Sequence, residues 1–360
     1  MLETYTVYNI ILIFGVLVSA ALSIKNDWKR TTNIVIFAIL FIPAALRFGV
    51  GLDYFNYVDI FNHIDNYQGR IEIGFYAIVK ILTVLGFGYQ SLFVVCSALT
   101  IYFYIKSIRH DSAWTSTLVF VSTLYLTSYC LLRQALAVSI IMYCTKLWVD
   151  NKRNKTWFFI LIACTMHYSV ILFVPVLMAS SLIKMSTSKA IAVMCFIVVF
   201  VFLLNGVDLV FNNQFFINSR YGTYITSSYN KETEIGSGMG ILIRLLVPIS
   251  VSLLASKILA LNPRNNIIIC SSLAFFISYL LATQIYIFGR MSDVFSFSVI
   301  LAAPLLIQLS RTVYTKLIAS GVILLYILVM QATIANNHFD VNERAGSGLG
   351  IYPYKTVFDK

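Results

Sequence analysis

The sequence predicts an all-α fold, a polytopic transmembrane helical bundle. Three observations carry this. Hydrophobic residues make up 59% of the 360 and charged residues only 11%. The mean hydropathy is +0.84, whereas soluble domains carry about 25% charged residues. Apolar runs long enough to cross a hydrocarbon core of about 30 Å recur from end to end. These runs are continuous rather than alternating, which selects helices over a closed barrel. One integral membrane domain, residues 1–360, with about 10 full spans follows from them.

The first run, Tyr5–Ile24, has no basic leader and no small-residue cleavage site, so it reads as a retained helix. Further full spans are expected at Thr31–Leu46, Ser91–Ile108, Trp114–Leu131, Gln134–Val149, Ala190–Val210, Ile241–Lys257, Ile267–Phe288, Val294–Ser310 and Leu317–Ala335. Ile73–Phe87 is short and carries Lys80 at its middle, which suits an interfacial or half-inserted helix. Thr156–Ile183 is too long for one comfortable span and breaks at His167, so it reads as two short helices in a re-entrant pair.

With those two readings, every short basic loop faces one compartment, which is then the cytoplasm. Both termini become external, as do a motif loop (47–72), a larger loop (211–240) and a C-terminal tail (336–360). The inside set is mostly lysine. The outside set holds seven arginines: Arg47, Arg70, Arg133, Arg220, Arg244, Arg290 and Arg344. Topology needs only positive charge, and lysine supplies it. Arginine outside suits bidentate gripping of carboxylate or phosphate, although snorkelling to lipid phosphates is the plain alternative.

The net charge of +11 is scattered between spans rather than massed, which argues against a nucleic-acid partner. The six cysteines lie singly within apolar runs with no CxxC pair, and the four histidines are dispersed. Neither set suggests a disulfide framework or a metal site.

Five motifs carry chemistry. Arg47-Phe-Gly49-Val-Gly51-Leu-Asp53-Tyr54-Phe-Asn-Tyr57 follows the second span. Its glycines let the backbone turn tightly, and Arg47 lies at membrane depth, where an ionisable group marks a functional hypothesis. Asp53 either pairs with Arg47 or accepts a proton, while Tyr54 and Tyr57 offer faces that stack on sugars. Leu132-Arg133-Gln134 opens a helix, where backbone N–H groups favour an anion. Met166-His167-Tyr168-Ser169 interrupts an apolar run, and such a polar group must line a cavity or be hydrogen-bonded. Arg220-Tyr221 and Gly289-Arg290 are the later pairs. Tyr352-Pro353-Tyr354-Lys355 is either a cover for the site or a surface tail.

RxGxGxDYxxY, then Glu72-x-Gly74-Phe75, LRQxxA, His167-x-Ser169 and the late Arg-Tyr and Gly-Arg pairs together resemble the EpsG-like branch of the Wzy-type bacterial polysaccharide polymerases. That group serves O-antigen, capsule or exopolysaccharide biosynthesis. The resemblance implies a GT-C-like, metal-independent glycosyltransferase without a cofactor, and the absence of an external Asp-x-Asp agrees with this. It implies transfer of a glycan from undecaprenyl pyrophosphate to a lipid-linked oligosaccharide repeat at the outer face of the bacterial cytoplasmic membrane. The lipid bilayer and a chain-length regulator protein are the expected partners. Arg47, Arg133, Arg220 and Arg290 would stabilise the departing diphosphate. His167 or Asp53 would be the general base, with His167 favoured if Asp53 orients Arg47. Gln134, Glu72, Tyr54, Tyr57 and Tyr221 would bind substrate. Three rivals remain: an O-antigen ligase with a larger external loop, a flippase with charge in both membrane halves, and a membrane acyltransferase lacking RxGxGxDY.

Overall fold

The computed structural model describes residues 2–22, 29–109, 113–204, 214, 239–285, 287–309, 313–340 and 344–359. They fall into two compact units, Met1–Ile171 with Ser310–Lys360, and Leu172–Leu309.

In the first unit, α1 (Leu2–Leu22) packs on α2 (Lys29–Leu46), and α5 (Gln90–Ser107) packs between α2 and α8 (Leu132–Val149). The other side of α8 is covered by α9 (Arg153–Met166). Every residue of α8 from Gln134 to Met142 is buried. A helix covered on all sides is the centre of its bundle, and Ala135, Ala137 and Ser139 let neighbouring backbones approach. The run Trp114–Leu131 is one helical stretch of α6 (Ala113–Phe120) and α7 (Leu126–Cys130), joined by a π-turn at Val121–Tyr125. Across the end of this bundle lie α3 (Tyr54–Asn62), a 3₁₀ turn (Ile64–Tyr67) and α4 (Ile73–Val84).

The last four carbonyls of a helix lack intrahelical donors, and at the end of α2 each one has found a partner. Tyr354 donates its hydroxyl to Pro43 O (3.0 Å) and Arg47 Nη1 donates to Ala44 O (2.7 Å). Gln90 Nε2 donates to Ala45 O (2.7 Å), and the Val357 N–H donates to Leu46 O (2.9 Å). Two of these four donors come from the C-terminal segment, so the tail docks on the motif loop. Backbone bonds from Gly51 N to Gly350 O (2.8 Å) and from Phe48 N to Lys355 O (2.9 Å) continue the contact. Further back, β1 (Phe339–Asp340) pairs antiparallel with β2 (Ala345–Gly346), Phe339 opposite Gly346. The long helix Val313–Ala335 before them packs on α6 and the π-turn.

In the second unit, α10 (Phe173–Leu182) and α11 (Thr187–Val198) pack on α14 (Asn266–Ala282). Asn266 ties the end of α10, donating to Ser180 O (2.6 Å) and Ile183 O (2.7 Å) and accepting from Met185 N (2.9 Å). The core gathers Ile197, Val201, Leu245, Phe276 and Leu280. The helices α12 (Met239–Leu253) and α13 (Ala255–Leu261) meet at a 63° bend, and α15 (Ile287–Phe295) and α16 (Phe297–Gln308) at 43°.

Five helices are long and apolar enough to cross a membrane, or up to seven if each bent pair is one span. The expected ten are therefore not reached by length and composition among the described residues. Three causes are local. Central α8 carries Arg133, Gln134 and Lys146, the π-turn divides the run from Ala113, and the run from Ala190 passes into residues outside the described set. Large apolar side chains nevertheless stand exposed along many helices, among them Leu17, Ile34, Leu161, Leu182 and Leu324. Surface of that kind is stable against lipid, not water. The chain is a multi-pass membrane protein. The break at His167 falls where the sequence places it, between α9 and a 3₁₀ turn. The short α4 buries Phe75, Val79 and Leu82 and exposes the apolar Ile73, Ile81 and Val84.

Candidate functional site

Glu72, at the start of α4, is the hub of a buried charged group. Its Oε2 accepts from Arg133 Nη1 at 2.6 Å, and its Oε1 bonds His167 Nδ1 at 2.7 Å. Glu72 is nearly enclosed, at 6% side-chain exposure, while Arg133 and His167 keep 26% and 21%. The carboxylate is thus the inner anchor, and the cation and the imidazole present the accessible atoms. Burial acts to raise the Glu72 carboxyl, but the His167 hydrogen bond and the Arg133 charge outweigh it and hold it down at about 2. The Arg133 guanidinium lies over the Phe75 ring at 5.6 Å, with the Tyr57 hydroxyl near enough for the two groups to act on one another electrostatically.

Each partner is placed by its own element. Arg133 stands in the first turn of α8, directly after Leu131 breaks from helical geometry. His167 is the extended residue that ends α9. Glu72 reaches both because α4 and α9 touch at Gly74, where a Cβ would collide with Thr165 Oγ1 and the Met166 methyl. The small residue in Glu72-x-Gly74-Phe75 is therefore a condition of the Glu72–His167 contact.

Arg47 occupies a different environment. It is wholly buried between the Phe93 ring (5.0 Å) and the Tyr129 ring (4.7 Å). Nη1 caps Ala44 O and reaches Ser97 Oγ at 3.3 Å, while Nε and Nη2 have no hydrogen-bond partner. Of the two roles the sequence leaves open for Asp53, the pairing with Arg47 is not formed, because Arg47 turns back onto its own helix end. Asp53 instead accepts from Asn56 Nδ2 at 3.2 Å. Gly51 sits at φ +109°, and a Cβ there would strike the Tyr129 carbonyl, so the motif loop lies flat against α7.

The remaining sequence-selected residues divide as follows. Tyr54 stacks on Phe93 (4.4 Å, 4°) and donates to Gln90 Oε1 (3.2 Å), and Tyr57 meets the Phe75 edge (5.9 Å). Both rings are buried, so their faces are taken by protein and not presented to a sugar. Gln134 is buried within α8. Arg290 is exposed on α15 in the second unit, close enough to Asp293 for their charges to act on one another, with Arg244 also near. Arg220 and Tyr221 lie outside the described residues, as does most of the 211–240 loop. Sequence reasoning did not select Gln90, Tyr129 or Tyr125, which form the cage behind the motif loop. The i,i+4 spacing of Tyr125 and Tyr129, whose hydroxyls bond at 2.9 Å, was the available signal.

Glu72, Arg133 and His167 form an ionisable group at the end of a bundle of apolar helices, a placement that marks a candidate site. The chain belongs to the EpsG family, whose model matches residues 30–356. That length contains Glu72, Arg133, His167 and the docked tail as far as Thr356, which bridges to Arg47. No curated protein and no solved structure matches the chain.

Proposed function

We propose that this protein is a polysaccharide polymerase. It transfers a growing glycan from undecaprenyl pyrophosphate to a hydroxyl of an incoming lipid-linked repeat unit, at the outer face of the bacterial cytoplasmic membrane. Family membership supports a polymerase-type role, and the Glu72-centred group is the observation that carries the chemistry. In this reading the bundle has ten crossings and a GT-C-like plan. Central α8 is one of the crossings, its polar residues shielded from lipid by α5 and α9.

The glycosidic carbon–oxygen bond to the diphosphate breaks as a bond to the acceptor oxygen forms. The acceptor proton must leave, and His167 receives it. With Nδ1–H donated to Glu72, the neutral imidazole offers Nε2 as the acceptor. Glu72 and Arg133 cancel in charge, so the proton gives the group a net positive charge as negative charge grows on the diphosphate. Arg133 and imidazolium together stabilise that charge where dielectric is low. Asp53, Tyr54, Tyr57 and Gln134 act by positioning, and Arg47 acts by holding the motif loop.

Deleting the gene and restoring it on a plasmid tests the role. The expected result is loss and return of the long polymer, with single repeats accumulating between. Unchanged polymer in the deletion strain would overturn the reading.

A further inference from the structure

The helices α2, α5 and α8 each have 18 residues, about 27 Å. One end carries Arg47, Gln90 and Arg133; the other forms a cavity of about 600 Å³. Lys29 and Arg30 from the first turn of α2, Lys106 from the last turn of α5 and Lys146 from that of α8 line it. Three segments distant in sequence thus converge four cations, and no carboxylate stands among the described residues lining the cavity.

The fold explains some of these charges. Lys106 and Lys146 sit at helix C-termini, where cations are favoured. Lys146 also pairs with Asp150 at 2.6 Å. Lys29 and Arg30 are favoured by topology alone, since the N-terminal end of α2 repels cations and attracts an anion. Asn33, one turn further on and also lining the cavity, has a buried side-chain oxygen with no hydrogen-bond partner. Its amide turned over presents a donor instead. Phe37 and the exposed Ile34 form an apolar wall beside the cations.

We propose that this cavity binds the phosphate of an anionic phospholipid, with its chains along the Ile34–Phe37 wall. Lysine-rich loops place this end in the cytoplasm, so the lipid is one of the inner leaflet, where basic pockets between helices hold such head groups. The shared chemistry is a phosphate group, and a soluble phosphate is its other source. The inference stands apart from the polymerase reading, at the far end of the same helices.

The test is calorimetric titration of the purified full chain in neutral detergent with dioctanoyl phosphatidylglycerol, dioctanoyl phosphatidylcholine and inorganic phosphate. The phosphatidylglycerol is expected to bind and the phosphatidylcholine not. At about fivefold per cation, Arg30→Gln with Lys106→Gln should weaken binding about thirtyfold, whereas Lys106→Arg should retain it. Inorganic phosphate that binds as well, and is lost in the same double variant, supports a phosphate site without lipid selectivity. Equal binding of phosphatidylcholine, or no binding of phosphatidylglycerol or phosphate, would overturn the proposal. So would unchanged affinity in the double variant or, should that variant not fold, in Arg30→Gln alone.

Discussion

Replacing Glu72 with glutamine keeps the shape of the hub and removes its charge. The carboxyl is held at about 2 against an ordinary 4.5, a difference corresponding to about 3 kcal/mol. Glu72 is 6% exposed, but its partners keep 26% and 21%, so water recovers part of that. Glu72→Gln should therefore cost about 2–3 kcal/mol, much of it from leaving Arg133 half-buried without its counter-charge. Arg133→Gln should cost a similar amount for the converse reason. The double variant pairs two neutral amides and should be less destabilised than the sum, with a coupling of about 2 kcal/mol. Reversible unfolding of the purified protein in mixed detergent–SDS micelles measures all three. Costs that add to within about 0.5 kcal/mol would refute the pairing, and with it the claim that Glu72 orients the site.

Three further outcomes follow from the same geometry. Gly74→Ala, which changes no charged residue, should abolish polymer by forcing α4, and Glu72 with it, off Thr165; wild-type chain lengths on a gel would contradict this. Arg47→Ala empties the space between Phe93 and Tyr129 and frees Ala44 O. Its first effect should be a loss of about 3–5 kcal/mol, read as a lowered melting temperature and reduced membrane abundance. Because the Glu72 carboxyl is held low, its contribution should be complete above about pH 5. It should then shrink as the pH falls from 4.5 to about 2. The stability difference between wild type and Glu72→Gln, followed from pH 7 to pH 3, checks this, and a difference that grows on acidification would be the wrong sign.

What the sequence made legible depended on distance along the chain. The apolar runs, the break at His167 and the short helix α4 are local patterns, and these helices appear where length and composition place them. Glu72, Arg133 and His167 could each be selected as polar residues at span ends. Their meeting could not, because 61 and 95 residues separate Glu72 from its partners. Arg47 shows the opposite case. A nearby Asp53 suggests an ion pair, but the four open carbonyls of α2 compete for donors and take the guanidinium. The caps that complete that helix end come from Tyr354 and Val357, far down the chain. The span count depends on the same distinction. Length and composition give five to seven crossings among the described residues and pass over α8, whose Arg133, Gln134 and Lys146 lower its hydropathy although α5 and α9 pack against it.

In the proposed reaction His167, aligned by Glu72 and backed by Arg133, takes the acceptor proton during glycan transfer. The most direct test of this step is single-turnover polymerisation of a purified undecaprenyl-diphosphate-linked repeat, comparing wild type with His167→Gln. Release of undecaprenyl pyrophosphate is counted against glycosidic bonds formed. The expected result is one lipid released per bond by the wild type and a rate lower by about 10²–10⁴ in a folded His167→Gln variant. A folded variant turning over at the wild-type rate would contradict it.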